Sequence, residues 1–156
     1  MGLQENVKTD QVSQLEVRDA ICLSKDEPLG NAIQSMREKN LGSVVVIDAE
    51  RKPIGIFTES MLTELLSHGP IPLEDPIETH MSNRCPWVKT TDPIEEMLDA
   101  LQLKNVRMLC VVDEDGKVAG VTGQRGLMEF IADHFPGQVM VQRVGQTPYL
   151  AEKEGA

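Results

Sequence analysis

The feature that most constrains this chain is an internal repeat. At an offset of 65 residues, and with no gap, Pro28 matches Pro93, Lys39 matches Lys104, Asn40 matches Asn105 and Val46 matches Val111. Asp48/Asp113, Lys52/Lys117, Gly55/Gly120, Leu62/Leu127 and Glu64/Glu129 continue the series. Apolar character is kept at Leu29/Ile94, Ile33/Leu98, Met36/Leu101, Ile56/Val121, Leu65/Phe130 and Leu66/Ile131. Self-similarity on this scale means one supersecondary unit used twice. Two units are too few for a solenoid, so the expected arrangement is a pseudo-symmetric pair, each burying its apolar face against the other.

The two copies predict the same elements. Leu29, Ala32, Ile33 and Met36 share one helical face, as do Ile94, Met97, Leu98 and Leu101. Val44-Val45-Val46-Ile47 and Leu109-Cys110-Val111-Val112 are short unbroken apolar runs, the pattern of strands buried on both faces. In the second copy Asp115-Gly116 marks a tight hairpin; Ala49-Glu50-Arg51-Lys52 in the first is less diagnostic. The chain returns through Ile54 to Phe57 or Val118 to Val121, and a second helix follows with Met61, Leu62, Leu65 and Leu66, or Leu127, Met128, Phe130 and Ile131. Ile21-Cys22-Leu23 and Trp87-Val88 supply short entry strands. The unit is β-α-β-β-α and the fold class α/β in the α+β sense. The expected divisions are an N-terminal segment (1–16), a first repeat (17–68), a linker (69–79), a second repeat (80–134) and a tail (135–156). Gly69, Pro70, Pro72 and Pro76 make the linker stiff and non-helical. In the tail, Val139, Met140 and Val141 either add a strand or pack on a partner, and Tyr149 to Ala156 is expected to be mobile.

Composition excludes several functions. Asp+Glu number 25 against 15 Lys+Arg, a net charge of −10 that repels nucleic acid and anionic membranes. One Trp, one Tyr and three Phe are too few for a base-stacking sheet. No apolar run reaches the ~18–20 residues of a membrane span, and Met1 to Glu16 lacks the apolar core of a secretory signal. Three cysteines, Cys22, Cys85 and Cys110, are an odd number without C-x-x-C spacing, which fits a reducing compartment better than a disulfide framework. The expectation is a soluble cytoplasmic protein that engages neither nucleic acid nor membrane.

From Val17 to His134 the chain resembles a tandem pair of CBS domains, a Bateman module. The strongest local likeness is Asn105 through Val121, similar to the family's central hairpin ending in a glycine that feeds the last helix. Asn40 to Phe57 repeats it in the first copy, and His80-Met81 resembles the entry to a CBS unit. The resemblance implies two repeats packed as a pseudo-twofold pair, a homodimer forming a four-repeat disc, and regulation rather than catalysis. It implies action in trans on a separate enzyme or transporter whose identity the sequence does not give. It implies no required cofactor, and an adenosyl effector (AMP, ADP, ATP or S-adenosylmethionine) in the cleft between repeats. The ligand set so implied is Ile21, Cys22 and Leu23 from the entry strand, with Gly55, Thr58, Arg107, Gly120, Gly123 and Arg125.

The family's ligand signature places Thr or Ser, then Asp three residues on, where the last strand enters the last helix. A hydroxyl beside the free N–H groups of a helix start suits a phosphate, and the Asp accepts ribose hydroxyls. The first repeat keeps Thr58 but carries Met61 at the Asp position; the second carries Gly123 and Gly126 at the two positions. Thr58 is then a phosphate contact or an N-cap, which alone stabilises a helix by ~1 kcal/mol. Gly120, Gly123 and Gly126 are spaced G-x-x-G-x-x-G, read either as a phosphate loop or as relaxed strand-to-helix packing. Arg125 is a phosphate clamp or a solvated cation, and Arg107 precedes a buried strand where it reaches the cleft or faces solvent. Two functions remain open: a ligand sensor, or a dimerisation scaffold with degenerate nucleotide sites. His68, His80 and His134 lie at element ends without metal-ligand spacing, and neither G-x-S-x-G nor H-E-x-x-H occurs, so catalytic and metal residues are expected to be none.

Overall fold

Each half of the chain folds into the β-α-β-β-α unit in the computed structural model, which describes residues 2–103 and 106–135. Helix α1 (Leu3–Thr9) and a 3-10 turn (Val12–Gln14) come first. The first unit is β1 (Cys22–Ser24), α2 (Leu29–Lys39), β2 (Ser43–Ile47), β3 (Pro53–Thr58) and α3 (Glu59–Ser67). After a second 3-10 turn (Ile77–Thr79) come β4 (Trp87–Lys89), α4 (Ile94–Leu103), β5 (Met108–Val112), β6 (Val118–Gly123) and α5 (Gln124–His134). The readings of Val139 to Val141 and of Tyr149 to Ala156 fall outside the described residues.

Each sheet has three strands, the middle one parallel to the entry strand and antiparallel to the third. The registers coincide: Val46 faces Gly55 in one sheet and Val111 faces Gly120 in the other. Ser43 to Val46 and Leu109 to Val112 are buried, as expected of strands covered on both sides. On one side lie Leu29, Ala32 and Met36 of α2 or Ile94, Met97 and Leu101 of α4, all buried. Helix α2 ends where Asn40 turns left-handed (φ 52°) and its N–H reaches Met36 O.

The hairpins share one device. Asp48 Oδ1 accepts from the amides of Glu50 and Lys52, and Asp113 Oδ1 from those of Asp115 and Lys117. Arg51 (φ 64°) and Gly116 (φ 81°) take the same left-handed position. The aspartate sets both turns, so the first needs no Asp-Gly. Arg51, strained there, anchors its carbonyl on Val118 N–H across the seam at 3.0 Å.

The N-terminal segment and the linker are exchanged between the units. Val12 is fully buried in the core of the second unit with Val88, Ile94, Met97 and Phe130. Ile77 is fully buried in the core of the first with Leu29, Val44 and Phe57. The hydrogen bonds repeat at the offset of the sequence. Val12 N–H donates to Asp92 O and Ile77 N–H to Glu27 O; Ile94 N–H donates to Asp10 O and Leu29 N–H to Asp75 O. The entry segments cross in the same way. Arg18 pairs its backbone with Val121 at 2.9 and 2.8 Å, and Ser82 pairs with Ile56 at 2.9 Å in both directions.

This crossing explains Gly55 and Gly120. A Cβ on Gly120 would stand 2.5 Å from both Arg18 O and Val17 Cγ1; on Gly55 it would stand 2.5 Å from Met81 Sδ and 2.9 Å from Ser82 O. Between the sheets, Val45, Cys110, Val112, Val118 and Val121 form a third core, with Ala20, Cys22, Ile47, Cys85 and Met108 against it. Helix α3 buries none of its residues fully: Leu66 is 57% exposed, and on α5 Met128 is 68% exposed.

Two substitutions test the exchange. Ile77→Ala, in the linker, is expected to destabilise the first unit by about 2–5 kcal/mol in urea unfolding. Gly120→Ala is expected to cost about 1–3 kcal/mol by forcing the Arg18 carbonyl away, whereas Gly42→Ala, which meets only the side chain of Glu59 at 3.2 Å, is expected to cost less.

Candidate ligand clefts

Where β3 runs into α3 and β6 into α5, two clefts open beside each other on one side of the seam. The first, about 510 Å³, is lined by Gly42, Ile56, Thr58, Glu59 and Ser60 of the first unit, by Arg84 and Pro86 of the crossing segment, and by Val106, Arg107 and Met108. The second, about 380 Å³, is lined by Glu16 and Arg18 of the other crossing segment, by Val121 to Gly126, by Glu129, and again by Arg107 and Met108. Both volumes lie in the range of small-molecule sites.

The helix starts differ. Thr58 is extended (φ −122°), and its Oγ1 accepts the Met61 N–H at 3.4 Å while its own N–H meets Met61 Sδ at 3.3 Å. Thr58 is therefore an N-cap that also lines the first cleft. Gly123 holds the same place before α5 with no side-chain cap, and a Cβ there would run into the Arg107 carbonyl. Gly126 is buried; a Cβ would lie 2.7 Å from Thr122 Oγ1 and 3.1 Å from Glu16 O. The close approach of these strands and segments, rather than a phosphate, accounts for the second repeat's glycines. It also leaves no room for an aspartate at position 126.

Charge differs as well. The first cleft presents Arg84 and Arg107 with Glu59. The second presents Arg18, Arg107 and Arg125 with Glu16 and Glu129. A hydrogen bond to Glu129, and the repulsion of that carboxylate, raise the Glu16 carboxyl above its ordinary value; accepting that bond lowers Glu129. Arg125 Nε lies 3.3 Å from Glu129 Oε1. Both carboxylates line the second cleft with three guanidinium groups.

Of the residues singled out from the sequence, Thr58 and Arg107 line the first cleft, and Arg107, Gly123 and Arg125 the second. The others lie elsewhere. Ile21 is buried in the first core with Leu23 packed against it, and Cys22 sits in the seam. Gly55 and Gly120 are covered by Met81 and Val17. Sequence reasoning missed Glu16, Arg18, Arg84, Glu59 and Glu129. The available signal was position: Arg18 and Arg84 each stand just upstream of an entry strand. What hid their role is that each serves the other repeat's cleft. Among the described residues no cluster of His, Cys, Asp and Glu could hold a metal ion, and no helix is long and apolar enough to cross a membrane.

A family model of the CBS domain matches twice in tandem, at residues 12–68 and 77–133. The chain belongs to the CBS-domain family. Both matches include the exchanged turns, Val12–Gln14 and Ile77–Thr79. An uncharacterised 17.7 kDa protein of Acidianus ambivalens is 28% identical over 123 residues, 79% of this chain and 74% of that protein. Relatives with larger functions share only the CBS portion. The glycine betaine/carnitine/choline transport ATP-binding protein of Bacillus subtilis is 24% identical over 86% of this chain but only 34% of its own length. Among solved structures, the CBS domain protein PAE2072 of Pyrobaculum aerophilum complexed with AMP superposes with a TM-score of 0.66 at 18% identity, covering 78% of this chain and 98% of that one. The CBS domain pair of protein MJ0100, in complex with 5′-methylthioadenosine and S-adenosyl-L-methionine, gives 0.68 at 16% identity and the same coverages. At such identities these structures share the fold of this CBS pair.

In Glu129→Ala the Glu16 carboxyl should titrate back down toward its ordinary value, followed by carboxyl-carbon NMR. An unmoved titration would contradict the carboxylate pair.

Proposed function

We propose that this CBS pair is a non-enzymatic regulatory module that senses an adenosyl compound in the clefts between its repeats. The observation that carries this reading is Arg107, one guanidinium shared by two adjacent clefts, each with a helix start at its edge. Exposed N–H groups at a helix start, together with guanidinium groups, suit phosphate or carboxylate. The complexes of the two solved relatives, with AMP and with S-adenosylmethionine and methylthioadenosine, support the ligand class. With Met61 and Gly126 at the family's aspartate positions, ribose hydroxyls find acceptors instead on Glu59 in the first cleft and on Glu16 and Glu129 in the second. The exposed apolar residues of α3 and α5, Leu66 and Met128, are the surface on which two copies pair into the four-repeat disc. The regulated partner, an enzyme or transporter, acts from outside the module.

Thermal melting with AMP, ADP, ATP and S-adenosylmethionine in turn tests the reading. A ligand at 100 times its Kd stabilises by ~2.7 kcal/mol, which for a chain of this size raises Tm by roughly 5–11 °C. Arg107→Ala should weaken binding by roughly 10–100-fold, the loss of a charge-assisted hydrogen bond. No shift with any of the four compounds would favour a scaffold that keeps the fold without the ligand.

A further inference from the structure

The three cysteines of the chain, far apart in sequence, meet in one place. Cys22 on β1, Cys85 just before β4 and Cys110 in the middle of β5 all belong to the core between the sheets. Cys110 is 1% exposed, whereas Cys85 is only partly covered. The Cys110 amide donates to Pro86 O at 3.0 Å and Trp87 stands opposite Cys110 in the ladder, so Cys85, two residues before Trp87, enters the core that holds Cys110. Packing does not require this chemistry. The first repeat fills the equivalent positions with Ala20 and Val45, in the same core. Cys85 also lies between Arg84 and Pro86, both lining the first cleft, and Cys110 lies two residues beyond Met108, which lines both clefts.

We propose that Cys85 and Cys110 are a peroxide-sensitive thiol pair that closes to a disulfide in the seam, against the wall of the first cleft. Cys85 is the attacking sulfur. It is the accessible one of the two, and its neighbour Cys110 lowers its pKa. Cys85, with burial, holds Cys110 firmly protonated. The Cys85 thiolate attacks one oxygen of a hydroperoxide. An S–O bond forms, the O–O bond breaks, and the departing oxygen takes up a proton and leaves as water or an alcohol. The Cys110 sulfur then attacks the resulting sulfenic sulfur. The S–S bond forms, the S–O bond breaks, and the hydroxide leaves with the Cys110 proton as water. The sulfur pair gives up two electrons, and the hydroperoxide accepts them. Cys22, in the same core, is not consumed.

The test uses the full chain and hydrogen peroxide under native conditions, followed by removal of the oxidant, unfolding and alkylation. The expected result is a chain lighter by two hydrogens, with one alkylated thiol, Cys22, in place of three. Peptide mapping should join Cys85 to Cys110, and dithiothreitol should restore all three thiols. Cys85→Ala and Cys110→Val, which copy the first repeat, should both abolish the link. Cys110→Val should leave Cys85 as a sulfenic acid that dimedone captures. Three free thiols after peroxide, a link involving Cys22, or oxidation of Cys85 with Cys110 still free in the native chain would overturn the proposal. Because thiol state is the readout, the outcome is independent of whether the clefts take an adenosyl compound.

Discussion

The structure depends on the exchange of two short turns. Val12 and Ile77 each leave the unit they introduce and fill the core of the other, with no exposed surface remaining. Burying a side chain of that size stabilises by ~1.5–3 kcal/mol. The backbone bonds that fix the turns come in matched pairs: Val12 to Asp92 with Ile77 to Glu27, and Ile94 to Asp10 with Leu29 to Asp75. Each three-stranded sheet takes its strands from one half, but neither core is filled without a turn from the other.

The clefts follow from the same crossing. The segments at Arg18 and Ser82 lie against β6 and β3 and require Gly120 and Gly55 beneath them. They also carry Arg18 and Arg84 to the rim of the opposite unit's helix start. Pseudo-symmetry gives two clefts; departures from it make them different. Thr58 caps one helix while Gly123 leaves the other bare, and Glu16 stands at the repeat position held by Met81 on the first side. The first cleft presents two guanidinium groups and one carboxylate, the second three guanidinium groups and two carboxylates.

Much of this was legible in the residues. The offset of Gly55 from Gly120 gave the symmetry, the valine runs gave the two-sided burial, and the spacing from Leu29 to Met36 gave the covering helix. The hairpin was recognised in the second copy through Asp115-Gly116 and underread in the first, because its determinant is Asp48 and a left-handed Arg51 carries no sequence signature. The exchange itself was not read. Val12 and Ile77 stand at the repeat offset, but one apolar residue in a polar stretch has no periodicity to mark it, and which core it enters is a tertiary fact. The same limit applies to the clefts. Thr58, Gly123 and Arg125 are local to the helix starts and Arg107 to the start of β5, and all four line the clefts. Ile21, Cys22 and Leu23 follow the entry strand into the cores and the seam, and Glu16, Arg18 and Arg84 reach the clefts only because the chain crosses over.

The most direct measurement is a backbone NMR titration of the isotope-labelled chain with AMP and with S-adenosylmethionine, read residue by residue. Shifts confined to Thr58 to Ser60, Arg84, Arg107, Met108 and Gly123 to Gly126 would match two ligand clefts built by crossing segments. Shifts gathered at the hairpin tips around Lys52 and Gly116, or a spectrum unmoved by either compound, would contradict that account.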